Sequence, residues 1–151
     1  MEDILIRRAG EQDLSAVVHL EIVCFSDPWS REGLRAALAQ EHGLWYCAYR
    51  GEKLVGMLGA QGIAPEGEIL SVAVHPEYRR RGIARALIAR YLKDARDMDV
   101  VFLEVRRSNT AAQALYASFG FAVCGERKNY YERPVEDAVL MRRQRPETEP
   151  C

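Results

Sequence analysis

The stretch HPEYRRRGIARALI (His75–Ile88) sets three consecutive arginines against a glycine and a helical run. The first backbone N–H groups of a helix lack internal acceptors and carry the positive end of its dipole. A helix start is therefore a ready anion site. Gly82 lets the main chain approach an anion that a side chain would hold away, and Ala84 keeps the next turn small. Arg79, Arg80 and Arg81 add charge, and Ile83 and Arg85 complete the first turn. Together these residues describe a pyrophosphate cradle. The alternative is a solvated basic loop that caps the helix. The stretch is neither G-x-G-x-x-G nor a loop ending in G-K-[ST], so it does not choose by itself.

Other residues invite chemistry further on. Glu104 lies in VVFLEV, a strand otherwise apolar. Partial desolvation raises a carboxyl pKa and makes a better base; the alternative is a rim glutamate paired with Arg106. Tyr116, in TAAQALYASF, reads from its own helix as an ordinary core tyrosine. Asn109 reads as a helix N-cap, as does Ser108. Phe25, Pro28 and Trp29 put large apolar groups into a helix break, where a purely structural loop favours small polar residues. Tyr130 and Tyr131 do the same near the last hairpin. The alternative for these aromatics is that they plug the core.

The elements that must position these groups follow from periodicity and punctuation. Ile4–Ala9 reads as a first strand. Asp13 can cap a helix through Phe25, with Leu14, Val17, Val18 and Ile22 on one face. Ser-Asp-Pro-Trp ends it, because the residue before proline avoids the helical region. Ser30 can cap a second helix. LWYCAYR and KLVGMLGAQGI read as strands joined by the Arg50–Lys53 turn, and Gly67–Val74 as a third. Gly82 to Arg96 is amphipathic. Val100–Val105, nearly apolar, suits a sheet centre covered on both faces. A short helix after Asn109 ends at Gly120, and two final strands follow. The order β-α-α-β-β-β-α-β-α-β-β predicts an α/β fold with a mixed central sheet, spanning 1–143, with a flexible polar tail at 144–151.

The 151 residues suit one domain with a real core. The formal net charge of −1 gives no basic excess of the kind nucleic-acid binders often show. Cys24, Cys47, Cys124 and Cys151 form no C-x-x-C pair, and His19, His42 and His75 are scattered, so no metal is expected. Free thiols fit a reducing cytoplasm. No apolar run approaches the ~20 residues of a membrane span, and no signal-peptide pattern opens the chain. The expectation is a cytoplasmic protein without direct nucleic-acid or membrane partners, monomeric or weakly oligomeric.

Arg79-x-x-Gly82-x-Ala84 resembles the [QR]-x-x-G-x-[GA] signature of the GNAT acetyltransferases. It follows a strand ending V-A-V-H-P and precedes an amphipathic helix, as in that family. Leu103–Phe121 resembles the L-x-V-R-x-S-N-x-x-A-x-x-L-Y-x-x-x-G-F segment of the family's N-terminal acetyltransferases. Arg127–Met141 resembles their R-x-x-Y-Y…E-D-A-x-x-M ending, and Cys24–Ser30 the F-S-x-P-W-S loop of the RimI branch. Small departures are Ala84 for the commoner glycine, Arg107 at a usually small position, and an acidic tail.

The resemblance implies a GNAT fold with splayed middle strands, acetyl-CoA as co-substrate, and a protein N-terminus as acceptor. In the RimI branch that acceptor is the N-terminal alanine of a small-subunit ribosomal protein. Lysine side chains or a small-molecule amine are the alternative acceptors. An N-terminal amine has a pKa near ~8, so a modest base suffices. The resemblance makes Glu104 that base, directly or through water, and Tyr116 the acid that protonates the CoA sulfur. It implies that Val72, Ala73 and Val74 offer main chain to the pantetheine arm, and that backbone N–H groups polarise the carbonyl. Residues 79–85 would hold the pyrophosphate, and Asn109 would contact CoA. Phe25, Pro28, Trp29, Tyr130 and Tyr131 would flank the peptide entrance.

Overall fold

A computed structural model describes residues 3–146. In chain order the elements are β1 (Leu5–Arg8), α1 (Leu14–Cys24), α2 (Arg31–Ala39), β2 (Gly43–Arg50), β3 (Lys53–Ile63), β4 (Glu66–Val74), α3 (Ile83–Asp94), β5 (Val100–Arg106), α4 (Thr110–Ser118), β6 (Ala122–Tyr131) and β7 (Glu136–Gln144). This is the expected order, in one α/β domain. The strands form one mixed sheet in the order β1-β2-β3-β4-β5-β7-β6. The parallel ladder joins Glu66–Ile69 to Val100–Leu103 and ends there. Val72, Ala73 and Val74 lie past its end. Contacts divide the fold into two compact units: the chain up to Gln61 plus Ser71–Asp94, and Gly62–Leu70 plus the chain from Ala95 on.

In the first unit, β3 is the strand covered on both faces. Every residue from Leu54 to Ala60 is buried. α3 buries Ile83, Leu87, Ile88, Tyr91 and Leu92, and each fully buried aliphatic side chain contributes about 1.5–3 kcal/mol. The first turn of α3 sits close to β3 because Gly56 has no side chain. A Cβ there would lie 2.8 Å from Ile83 Cγ2 and 3.3 Å from Leu87 Cδ1. Ser30 caps α2 as expected, accepting from Gly33 N–H at 3.0 Å.

Helix α1 corrects the expected face. Leu14, Val17, Leu20 and Glu21 are buried, while Ile22 is 61% exposed. A buried carboxylate occupies the stripe that hydrophobic periodicity assigned to apolar side chains. Asp13 does not cap α1 through its side chain. Its carboxylate instead accepts from Gly10 N–H at 2.8 Å and from Tyr49 Oη at 2.7 Å, and takes both terminal nitrogens of Arg7 at 3.0 and 2.7 Å. Burial alone pushes the Asp13 carboxyl up, but Arg7, Gly10 and Tyr49 together hold it below the usual range.

In the second unit, β5 also departs from expectation. Its burial alternates: Val101, Leu103 and Val105 are inside, while Val100, Phe102 and Glu104 are only half-buried. Apolar content suggested two covered faces; one face carries the core and the other carries Glu104. Asn109 Oδ1 accepts from Ala112 N–H at 3.1 Å and caps α4. Gly120, at φ +94°, ends that helix. β7 runs through Gln144, and Arg145 N–H donates to Asp99 O at 2.8 Å. Residues 147–151, most of the expected tail, lie outside the described residues.

Candidate active site

The first unit carries the arginine–glycine loop. Ala86 N–H donates to Gly82 O at 3.0 Å, the first bond of α3. The N–H groups of Ile83 and Ala84 precede that bond and have no acceptor within the helix. Gly82 sits at φ +80°, and nothing lies within 4 Å of where its Cβ would be. The glycine thus serves twice: it takes a left-handed backbone that a side chain resists, and it leaves open space at the helix start. This geometry fits a pyrophosphate. Arg80 also adopts a left-handed backbone, φ 65°.

Two of the three arginines have structural ties. Arg79 Nε donates to Val74 O at 3.1 Å. The Arg81 guanidinium lies 4.9 Å from the centre of the Tyr78 ring. The Val74 carbonyl also accepts from Cys24 Sγ at 3.4 Å, so that carbonyl is already engaged twice.

The same unit holds the Phe25–Ser30 loop. Phe25 and Pro28 are half-buried. Trp29 packs edge-on against buried Trp45, ring centres 5.8 Å apart, yet stays 36% exposed. It is partly plug and partly surface. The loop is tied by a residue that pattern reading passed over. Glu21, 1% exposed, accepts from Trp29 N–H through Oε1 at 2.9 Å and from Ser71 Oγ through Oε2 at 3.1 Å. Burial pushes its carboxyl up, against the pull of those two donors. Its one sequence signal was an acid at i+4 from buried Val17 on an apolar stripe.

The second unit brings Glu104, Tyr130 and Tyr131 together. Glu104 Oε2 is buried and accepts no hydrogen bond among the described residues. Arg127 Nε lies 3.4 Å from it, close enough for charge but not aligned to donate. Arg106, the expected alternative partner, pairs with Glu136 instead, at 3.1 Å. The Tyr130 and Tyr131 rings meet edge-to-face at 5.0 Å. Burial pushes both hydroxyls up, and the negative charge of Glu104 adds to the shift. Tyr130 is 50% exposed, too open for a core plug. Tyr116 is buried on α4 against Phe121, and burial pushes its hydroxyl up to about 12. Arg127 was missed as a neighbour of the glutamate because the strand pairing that brings it there is not written in either segment.

The model of the acetyltransferase (GNAT) family matches residues 14–121. The chain belongs to the GNAT acetyltransferase family. It is 38% identical over 148 residues to the N-alpha-acetyltransferase RimI of Mycobacterium tuberculosis, covering 94% of this chain and 93% of that protein. It is 33% identical over 133 residues to the ribosomal protein bS18-alanine N-acetyltransferase of Escherichia coli, covering 85% and 89%. The crystal structure of the ribosomal-protein-S18-alanine N-acetyltransferase from Escherichia coli superposes with a TM-score of 0.89 at 31% identity, over 97% of this chain and 98% of that one. This GNAT chain is thus an acyltransferase with RimI-type relatives over most of its length. Among its described residues no cluster of three or more His, Cys, Asp or Glu could hold a metal ion. No helix among them is long and apolar enough to cross a membrane.

Proposed function

We propose that this enzyme transfers the acetyl group of acetyl-CoA to a protein N-terminal α-amine in the cytoplasm, and that its acceptor is the N-terminal alanine of a small-subunit ribosomal protein. The observation that carries the chemistry is the buried Glu104 Oε2, which has no hydrogen-bond donor among the described residues. A carboxylate oxygen without a hydrogen-bond partner, on the less covered face of a mostly apolar strand, is suited to take a proton from an ammonium group. The names of the relatives support the acceptor class.

Each residue then has a task. Ile83 and Ala84 offer N–H groups to the pyrophosphate beside Gly82, and Arg79 to Arg81 add charge. Val72, Ala73 and Val74 offer main chain to the pantetheine arm, and Asn109 contacts CoA while capping α4. Glu104 removes a proton from the amine, which then attacks the thioester carbonyl. As the C–N bond forms and the C–S bond breaks, the Tyr116 hydroxyl gives its proton to the sulfur; the second amine proton restores the phenol. With its hydroxyl pushed up to about 12 by burial, Tyr116 stays protonated at neutral pH. Phe25, Pro28, Trp29, Tyr130 and Tyr131 receive the peptide.

The test is mass spectrometry of ribosomal proteins from cells with and without this chain. Loss of acetyl at one alanine N-terminus is the expected result. Unchanged N-termini, with turnover of small amines alone in vitro, would overturn the acceptor assignment.

A further inference from the structure

We infer that the Arg106–Glu136 pair is the positioning device of the tyrosine hairpin, setting Tyr130 and Tyr131 against Glu104; the inference rests on the proposed peptide acceptor, which makes those tyrosines acceptor contacts. Arg106 lies two residues from Glu104, so strand alternation puts both on one face of β5. Its guanidinium holds the turn between β6 and β7 at three points. Nη1 donates to Pro134 O at 3.0 Å and to Glu136 Oε1 at 3.1 Å, and Nη2 donates to Glu132 O at 2.8 Å. Its central carbon Cζ also lies over the Tyr131 ring, 4.6 Å from the ring centre.

The hairpin needs such a tie. The β6–β7 ladder breaks register between Arg127 and Tyr131, the segment that carries Tyr130. There the backbone is held by a side chain, Asn129 N–H donating to Asp137 Oδ1 at 2.9 Å. Asn129 and Arg133 both take left-handed backbone, φ 52° and 57°. A hairpin with a broken ladder, one such residue in the break and another in its turn does not hold its shape through strand pairing alone. The planar fork of arginine can bind two carbonyls and a carboxylate at once; an ammonium cannot reproduce that geometry.

Glu136 extends the tie to the acid. Its second oxygen accepts from Ser108 N–H at 2.6 Å. Ser108 directly precedes Asn109, the cap of the helix that carries Tyr116. One ion pair thus joins the strand of Glu104, the hairpin of Tyr130 and Tyr131, and the start of the Tyr116 helix. The Ser108 and Arg106 donors hold the Glu136 carboxyl below its usual range, so the pair stays charged at neutral pH.

The experiment uses the full chain with Arg106→Met, Arg106→Lys and Glu136→Gln. Hydrogen exchange of residues 128–137 is read without substrate. The KM for an alanine-first peptide is read beside the KM for acetyl-CoA. In Arg106→Met, exchange across the hairpin should rise at least ~10-fold while α3 keeps its protection. The peptide KM should rise roughly 10-fold while the acetyl-CoA KM stays within about twofold. Arg106→Lys should recover only part of each effect, and Glu136→Gln should fall between lysine and wild type. Unchanged hairpin exchange, or an equal rise in both KM values, would overturn the inference. Wild-type protein inactive on every peptide would instead sink the peptide-acceptor reading and with it the acceptor role of the tyrosines, while the exchange data would still decide whether the pair orders the hairpin.

Discussion

In the first unit, the groups assigned to the cofactor are main-chain N–H groups beside Gly82, set by a φ of +80° and by the close packing of α3 on Gly56. In the second unit, the groups assigned to the chemistry are side chains: Glu104, Tyr116, Tyr130 and Tyr131. They are set by other side chains, Arg106, Glu136 and Asn109. A site built from backbone is sensitive to glycines and indifferent to most side chains around it. A site built from side chains is sensitive to single atoms. The two units should therefore fail in different ways.

The largest effect should come from the side-chain unit. Glu104→Gln is expected to lower kcat by about 10²–10³-fold, and Tyr116→Phe by about 10–10²-fold, with acetyl-CoA affinity kept in both. Steady-state acetyl transfer to an alanine-first peptide measures this. Full activity in both variants would remove the assignment. Next, Gly82→Val should weaken acetyl-CoA binding by roughly 10-fold or more by calorimetry, because a β-branched residue resists positive φ and fills the open space. Gly56→Val should act indirectly: overpacking against Ile83 and Leu87 is expected to cost about 1–3 kcal/mol in thermal or denaturant unfolding. Binding should weaken with it as the first turn of α3 shifts. Arg80→Ala should have the smallest effect on binding, about two- to fivefold and fading with salt. If Arg80→Ala abolished binding while Gly82→Val did not, the backbone account of the first unit would be wrong.

Two buried carboxylates sharpen the contrast within the first unit. Asp13 has a depressed pKa when folded, so its contribution to stability is present above its unfolded value and lost as pH falls through the folded one. Glu21 has a raised folded pKa, so its contribution has the opposite sign: it is fully present below the unfolded value and lost as pH rises through the folded one. Asp13→Asn should flatten the acid limb of a stability–pH curve. Glu21→Gln should remove the loss of stability on the rising side. The same slope for both variants would refute the distinction.

The reach of sequence reasoning follows the same line. The Gly82 loop, the Ser30 and Asn109 caps and the order of all eleven elements were legible, because each is a local signal spanning a few residues. Glu104 was legible as a candidate from its apolar strand and Tyr116 through resemblance, but their surroundings were not. Arg127 on β6 reaches Glu104 on β5 across the intervening β7, and Arg106 finds Glu136 thirty positions later. Glu21 bonds to Ser71 fifty positions later. Nothing in a short window distinguishes such partners from solvated charges. The α1 face was misread because Glu21 occupies a core position while Ile22 faces out. β5 was misread because Val100 and Phe102 are apolar on the less covered face.

Arg80 holds a left-handed backbone where glycine or asparagine would rest more easily. Each such residue is worth of order 1–3 kcal/mol of strain. Selecting this enzyme for heat resistance alone should therefore drive position 80 toward glycine, and the survivors would carry one fewer cation at the helix start. A thermostable variant obtained that way would need more acetyl-CoA to reach the same turnover, a trade between durability and substrate demand set by one dihedral angle.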